Sequence, residues 1–338
     1  MSHAAVVRIL STHYTGSIVP CTAKSNGALI LLLAFLGPLG MVSAKGQSSP
    51  QSARQAPGAG GEAVFRTQVD RVVLHAAVLD RNQRLITGLP QQAFRVFQDG
   101  KLVPLSGFSN RDIPVSMGLV VDSSASMAVK RGAVNDAALA LVRASHPEDE
   151  VFVVNFKDTP ELTQDFTSDI TALEHGLSDV RMWGGTALLD AVHMAVDHLR
   201  NATKGKKVLL IVSDGEDDSS DTTEKELIAA LQEAEVTVYA IGLLSQEPSS
   251  KRDQARKTLE AITQVSGGAL YLPRSIEEVE VLATKIAYDI RNQYVLEFAV
   301  PPGTKPGSHK LRVEARSAQL GKLTVRTRPG YVYQPSGS

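Results

Sequence analysis

Three short oxygen side chains, Asp122, Ser124 and Ser126, stand at alternate positions directly after an apolar run that contains Met117, Leu119, Val120 and Val121. A second apolar run, Val208 to Val212, ends in Ser213-Asp214-Gly215, and Gly184-Gly185-Thr186 lies between the two in sequence. Carboxylate and hydroxyl oxygens are hard ligands, suited to a magnesium-type cation, with manganese or calcium as alternatives. The carboxylates Asp122 and Asp214 balance a divalent charge, while the hydroxyls of Ser124, Ser126 and Thr186 add ligands without charge. Magnesium prefers near-octahedral oxygen coordination and usually keeps some water. An ion held this way stays electrophilic and has room for one outside acidic group. Gly184 and Gly185 let the backbone come close beside Thr186. Each signal is weak alone, because Asp and Ser are common in turns and at helix N-caps, and Ser126 also suits the cap of a following helix.

For these oxygens to meet, the two apolar strands must be neighbours whose carboxyl ends open onto one crevice, as at the switch point of an open α/β sheet. The surrounding pattern supports this arrangement. Strand Val115 to Val121 leads to helix Ala128 to Ala144, strand Val151 to Phe156, a polar edge strand Glu161 to Phe166 and a helix Asp169 to Val180. A helix from Ala187 to Leu199, strand Val208 to Val212, helix Glu224 to Glu233, strand Val236 to Ile241, helix Arg256 to Val265, a short strand Leu270 to Leu272 and helix Glu277 to Ile290 follow. Runs apolar on both faces, alternating with helical spacing, predict a doubly wound, mostly parallel sheet with helices on both faces over residues 112–292. Residues 62–110 and 293–334 read instead as short strands with partial alternation, including a hairpin at Asp99-Gly100. Neither set can enclose a core alone. The expectation is one β-sandwich built from both flanks, with the α/β domain inserted between them.

Other chemistries fit less well. Counted from Asp214, an EF-hand would need Gly at Ser219 and a carboxylate at Lys225, so Glu216, Asp217, Asp218 and Asp221 read as a solvated loop with acids at a helix N-terminus, a secondary calcium contact being the alternative. Neither Ser124 nor Ser126 sits in G-x-S-x-G. His146, His175, His193 and His198 lie in no catalytic or zinc motif, and no Walker or G-x-G-x-x-G loop occurs. A phosphatase-type loop would want a second aspartate where Ser124 stands. Trp183 reads as a loop anchor or a ligand rim, and Asn201-Ala202-Thr203 is a short sequon that chance alone supplies often. A net charge of -1 gives no electrostatic footprint for nucleic acid. Cys21 is the only cysteine and precedes the apolar run Ala28 to Leu36, so a chain processed after that run would contain none, which removes disulfides, thiolate metal sites and a cysteine nucleophile.

The first 44 residues have the n-region, apolar run (Ala28 to Leu36) and small-residue cleavage site (Val42-Ser43-Ala44) of a secretory signal. The apolar run is short for a span of about 20 residues, although an uncleaved anchor is the alternative. Residues 45–61 read as a disordered Gly/Ser/Gln/Pro-rich linker.

At Asp122, Ser124, Ser126, Thr186 and Asp214 the chain resembles the von Willebrand factor type A domain and its metal-ion-dependent adhesion site. The resemblance covers roughly Ile113 to Asn292. It implies that Ser124 and Ser126 ligate the ion directly, that Thr186 can, and that the aspartates often act through water. The wider layout, with a strand-rich leader ending near Asp99-Gly100 and a tail ending near Arg328-Pro329-Gly330-Tyr331, is similar to an exported bacterial family related to this domain and named for acidobacteria. The resemblance implies an exported, non-enzymatic protein-binding module whose ion takes an Asp or Glu carboxylate from a partner. A metal-assisted hydrolase and a structural envelope component with a vestigial site are the alternatives. In some members of the family the last helix moves when the site is filled, which would here reach the strand at Tyr294.

Overall fold

The computed structural model describes residues 70–178, 184–246 and 248–335. The expected signal, linker and Trp183 lie outside them. Four short strands come first: β1 (Arg71–Leu79), β2 (Phe94–Gln98), β3 (Lys101–Val103) and β4 (Gly107–Ser109). The hairpin between β2 and β3 turns at Asp99 and Gly100, with φ of 49° and 82°. Two successive positive φ values give the turn whose twist matches that of the flanking strands.

The central part then runs β5 (Val115–Asp122), α1 (Arg131–Arg143), β6 (Glu150–Phe156), β7 (Pro160–Thr167), α2 (Ile170–Ser178), α3 (Leu188–His198), β8 (Lys206–Ser213), α4 (Glu224–Glu233), β9 (Val236–Gly242), α5 (Ser249–Ser266), β10 (Leu270–Tyr271) and α6 (Glu278–Arg291). The six strands form one sheet in the order β10-β9-β8-β5-β6-β7. All pairings are parallel except β6 with β7. β5 and β9 are buried at every residue, the reason their sequences show no polar alternation. One face of the sheet packs on α1 and α6 through residues such as Leu119, Val121, Leu141 and Ile286. The other packs on α3, α4 and α5 through Val120, Phe152, Ile211, Val192 and Leu259.

The crossover after β5 goes to β6 on one side, and the crossover after β8 goes to β9 on the other. The chain therefore reverses direction across the sheet between β5 and β8, and the crevice at their carboxyl ends is the switch point. Register puts Val121 beside Val212, so Asp122 and Ser213 emerge side by side.

The last strands are β11 (Tyr294–Ala299), β12 (Gly307–Ser317), β13 (Gly321–Lys322), β14 (Thr324–Arg326) and β15 (Gly330–Tyr333). They pair with the first four: β1 lies between β14 and β11, and β2 lies between β12 and β3. The two small sheets share one apolar cluster that includes Leu74, Phe94, Val96, Tyr294, Leu296, Phe298 and Tyr331. Among the described residues no helix is long and apolar enough to cross a membrane.

Candidate metal centre

The first loop begins where β5 stops. Ser123 N–H donates to the Phe156 carbonyl at 2.7 Å and extends the ladder with β6 by one residue. Ser124 N–H then donates to Asp122 Oδ1 at 2.9 Å, an Asx turn that lifts the chain out of the sheet. A single 3-10 turn, Ala125–Met127, follows, anchored by the fully buried Met127. The helix expected from Ala128 starts only at Arg131, and its N-cap is Lys130 without a side-chain cap bond. Ser126 therefore caps nothing. Its hydroxyl donates to Asp214 Oδ2 at 2.5 Å and lies 3.1 Å from Ser124 Oγ.

The third loop leaves β8 at Ser213. Its hydroxyl donates to Asp122 Oδ2 at 2.6 Å and accepts from Gly215 N–H at 2.8 Å. Gly215 has φ of 77°, and a Cβ there would meet Ala255 at 2.8 Å, so both backbone and packing require glycine. Ser213 thus ties the two acid-bearing loops together, a role that the sequence reading missed.

The second loop is held from both sides. Gly185 N–H donates to Asp158 Oδ1 at 2.5 Å, and Ala187 N–H to the Lys157 carbonyl at 2.6 Å. Thr186 N–H donates to Asp218 Oδ1 at 2.8 Å, while the Thr186 carbonyl accepts from the N–H groups of Asp218 and Ser219. Asp217 and Ser220 receive the N–H of Leu189 at the start of α3. The acidic run after Asp214 is therefore more than a solvated loop: it fastens the Thr186 loop, and negative charge at that helix start is favourable. Gly184 has φ of 95°, and a Cβ there would fall 2.1 Å from Asp158 Oδ2.

Asp122 and Asp214 are completely buried, and Ser124 and Thr186 nearly so. Asp122, Ser124, Ser126 and Asp214 form one connected set with Ser213, and Thr186 joins it through the backbone of the third loop. Burial, and next the nearby charge of Asp214, push the Asp122 carboxyl up to about 6, against the hydrogen bonds from Ser124 and Ser213. Behind the acids stand two cations. Lys130 Nζ is 3.8 Å from Asp214 Oδ2. Arg131 donates to the Asp122 carbonyl, Ser123 Oγ, Asn155 Oδ1 and the Leu177 carbonyl; its burial lowers it to about 10. Sequence reasoning passed over both.

The donor set fits a hard divalent ion. Asp214 Oδ1 is buried and without a partner, a costly state for a carboxylate oxygen unless something else receives it. Two buried carboxylates repel each other, and hydroxyls converge beside them. Among the described residues no three His, Cys, Asp or Glu side chains gather as a metal cluster, here or elsewhere. Of the histidines considered from the sequence, His198 stacks on Phe166 and bonds Asp165, His193 Nδ1 lies 3.5 Å from Thr222 Oγ1, and His146 accepts from Glu148 N–H.

Residues 117–216 match the family model of the von Willebrand factor type A domain. The chain is 24% identical over 160 residues to an uncharacterized protein of Borreliella burgdorferi, 46% of each chain; it thus spans about half the length of that curated relative. In three dimensions it is similar to a von Willebrand factor type A protein from Catenulispora acidiphila, with 14% identity, TM-score 0.48 and coverage of 79% of this chain and 75% of that one. It is also similar to the corresponding domain of the type V pili tip protein Mfa5 of Porphyromonas gingivalis, with 13% identity, TM-score 0.44 and coverage of 53% and 95%. A third likeness is to proximal thread matrix protein 1 of the mussel byssus with a zinc-occupied adhesion-site motif, at 14% identity, TM-score 0.47 and coverage of 58% and 50%.

Proposed function

We propose that this chain, whose residues 117–216 belong to a von Willebrand factor type A domain, is an exported, non-enzymatic module that binds a protein partner through a divalent cation. Asp122, Ser124, Ser126, Thr186 and Asp214 would hold the ion, with magnesium the first choice and manganese or calcium the others. When bound, the ion supplies an electrophilic position for an acidic side chain of the partner. The chain's own residues do the rest: Ser213 orients Asp122, the Asp218 carboxylate fixes the Thr186 loop, and the β5–β8 register brings the loops to one crevice. Export through the N-terminal segment and a separate sandwich domain made by the flanking sheets belong to the same proposal.

The observation that carries this reading is the buried, unpartnered Asp214 Oδ1 beside a second buried carboxylate and two mutually bonded serine hydroxyls. An ion that binds only the folded state raises its stability. Magnesium at millimolar concentration is expected to raise the melting temperature, chelator to reverse it, and Asp122→Ala to abolish the effect. A melting temperature indifferent to magnesium, manganese and calcium would sink the reading.

A further inference from the structure

The sequence suggests two carboxylates awaiting one divalent ion. The structure adds two cations to that count. Lys130 Nζ lies 3.8 Å from Asp214 Oδ2, and its side chain is 8% exposed. The same ammonium donates to the Leu243 carbonyl at 3.5 Å. The next residue, Arg131, bonds the backbone and hydroxyl of the Asp122 loop. Asp122 and Asp214 are therefore matched by two cations before any ion arrives. Asp214 Oδ2 is already shared between Ser126 and Lys130, and only Oδ1 is without a partner.

We propose that Lys130 is the resident counter-charge of Asp214 and that it holds the divalent-ion affinity of the site low. This rests on the ion-binding reading above. A divalent ion ligated by Asp214 must sit close to a buried ammonium, and burial leaves that repulsion poorly screened. The loaded pocket carries an excess positive charge that an acidic ligand relieves. Ion and acidic ligand thereby bind better together than apart, a coupling that is reciprocal. The side chain forms part of the wall of a cavity of about 340 Å³ with Leu243, Ser245, Arg274 and Glu277, so an uncharged chain of similar length has room there.

The test is calorimetric titration of magnesium chloride into the protein and into Lys130→Met, Lys130→Gln and Lys130→Arg, with and without acetate as the acidic probe. Either neutral variant is expected to bind magnesium on the order of tenfold more tightly than the parent. Acetate should raise the ion affinity of the parent and do so less in the neutral variants. The arginine variant, which keeps the charge, should stay within about threefold of the parent. In chelator the neutral variants should melt below the parent, because Asp214 loses its partner, and magnesium should close that gap. Magnesium binding by the parent with unchanged or weaker affinity in the neutral variants overturns the role of Lys130 alone. Absence of magnesium binding in the parent and all variants overturns the ion-binding reading and this proposal with it.

Discussion

Ser213 shows how a residue outside the ligand set can decide its geometry. Its hydroxyl sits between the two acid loops, giving its proton to Asp122 Oδ2 and receiving the N–H of Gly215. Ser213→Ala removes both bonds at a site with no solvent to replace them, since Ser213 and Asp122 are fully buried. Unmet buried groups cost about 1–3 kcal/mol. Urea unfolding in chelator should show a loss of that order with an unchanged m-value, because only local bonding changes. A loss below about 0.5 kcal/mol, the range of an inconsequential surface change, would mean that Ser213 does not join the loops. The proposed ligand oxygens could be singled out in the sequence because two of the motifs end apolar strands and the third opens a helix. The groups that aim and balance them were less so. Lys130 is 84 residues from Asp214 and Ser213 is 91 residues from Asp122 in sequence, so their roles depend on which strands become neighbours. For Ser213 one signal was available: it directly precedes an aspartate at the end of an apolar strand.

Among the elements, β1 carries the clearest dependence on pH. His75 lies in this strand opposite Val295, and its Nδ1 is buried without a partner. Burial, then the charges of Lys206 and Arg328, lower it from 6.5 to about 3. The folded state thus keeps His75 neutral where the unfolded chain would protonate it. Its contribution is fully present above pH 6.5 and is lost as the pH falls from there toward 3, at about 1.4 kcal/mol per unit. Comparing urea midpoints near pH 7 and near pH 4.5 should show a steeper fall for the parent than for His75→Gln; equal falls would exclude His75 as the cause. β1 was also only partly legible from the sequence, because alternation in its first half gives way to burial at Ala76, Ala77, Val78 and Leu79. The parallel strands were easier, since two-sided burial leaves unbroken apolar runs. Helix starts were harder. α1 begins three residues later than its spacing predicts because the 3-10 turn at Ala125–Met127 takes up the chain. α5 begins seven residues earlier, through Ser249 to Ala255, where largely polar residues give no periodic signal.

At the scale of the whole molecule, the flanking sheets and the parallel sheet meet at a polar seam. Asp289 of α6 forms an ion pair with Arg326 of β14, and the Asp289 side chain is 7% exposed. The guanidinium also lies 5.7 Å from the ring of Tyr239 in β9. Nearby, Gln293 donates to the Tyr239 hydroxyl at 3.1 Å, and Lys206 Nζ donates to the Ile290 carbonyl. The end of α6 is therefore bound to strands of both parts. The small sheets need both chain flanks, as in the bond from Leu89 N–H to the Tyr294 hydroxyl, 205 residues apart. Contacts of such separation tie the two flanks of the chain to each other and slow folding through their loop-closure cost. Breaking a buried pair by removing one partner costs about 3–5 kcal/mol, because the remaining charge is left unpaired. Arg326→Met should lose stability on that order, and Asp289→Asn combined with it should lose less than the two single changes added. In urea, circular dichroism should follow one transition for the parent. Two separated transitions, or strict additivity of the two substitutions, would show that the ion pair does not couple the parts. Coupling measured this way would make the end of α6 a rigid joint, so that a shift of that helix would load the Asp289–Arg326 pair before reaching β11.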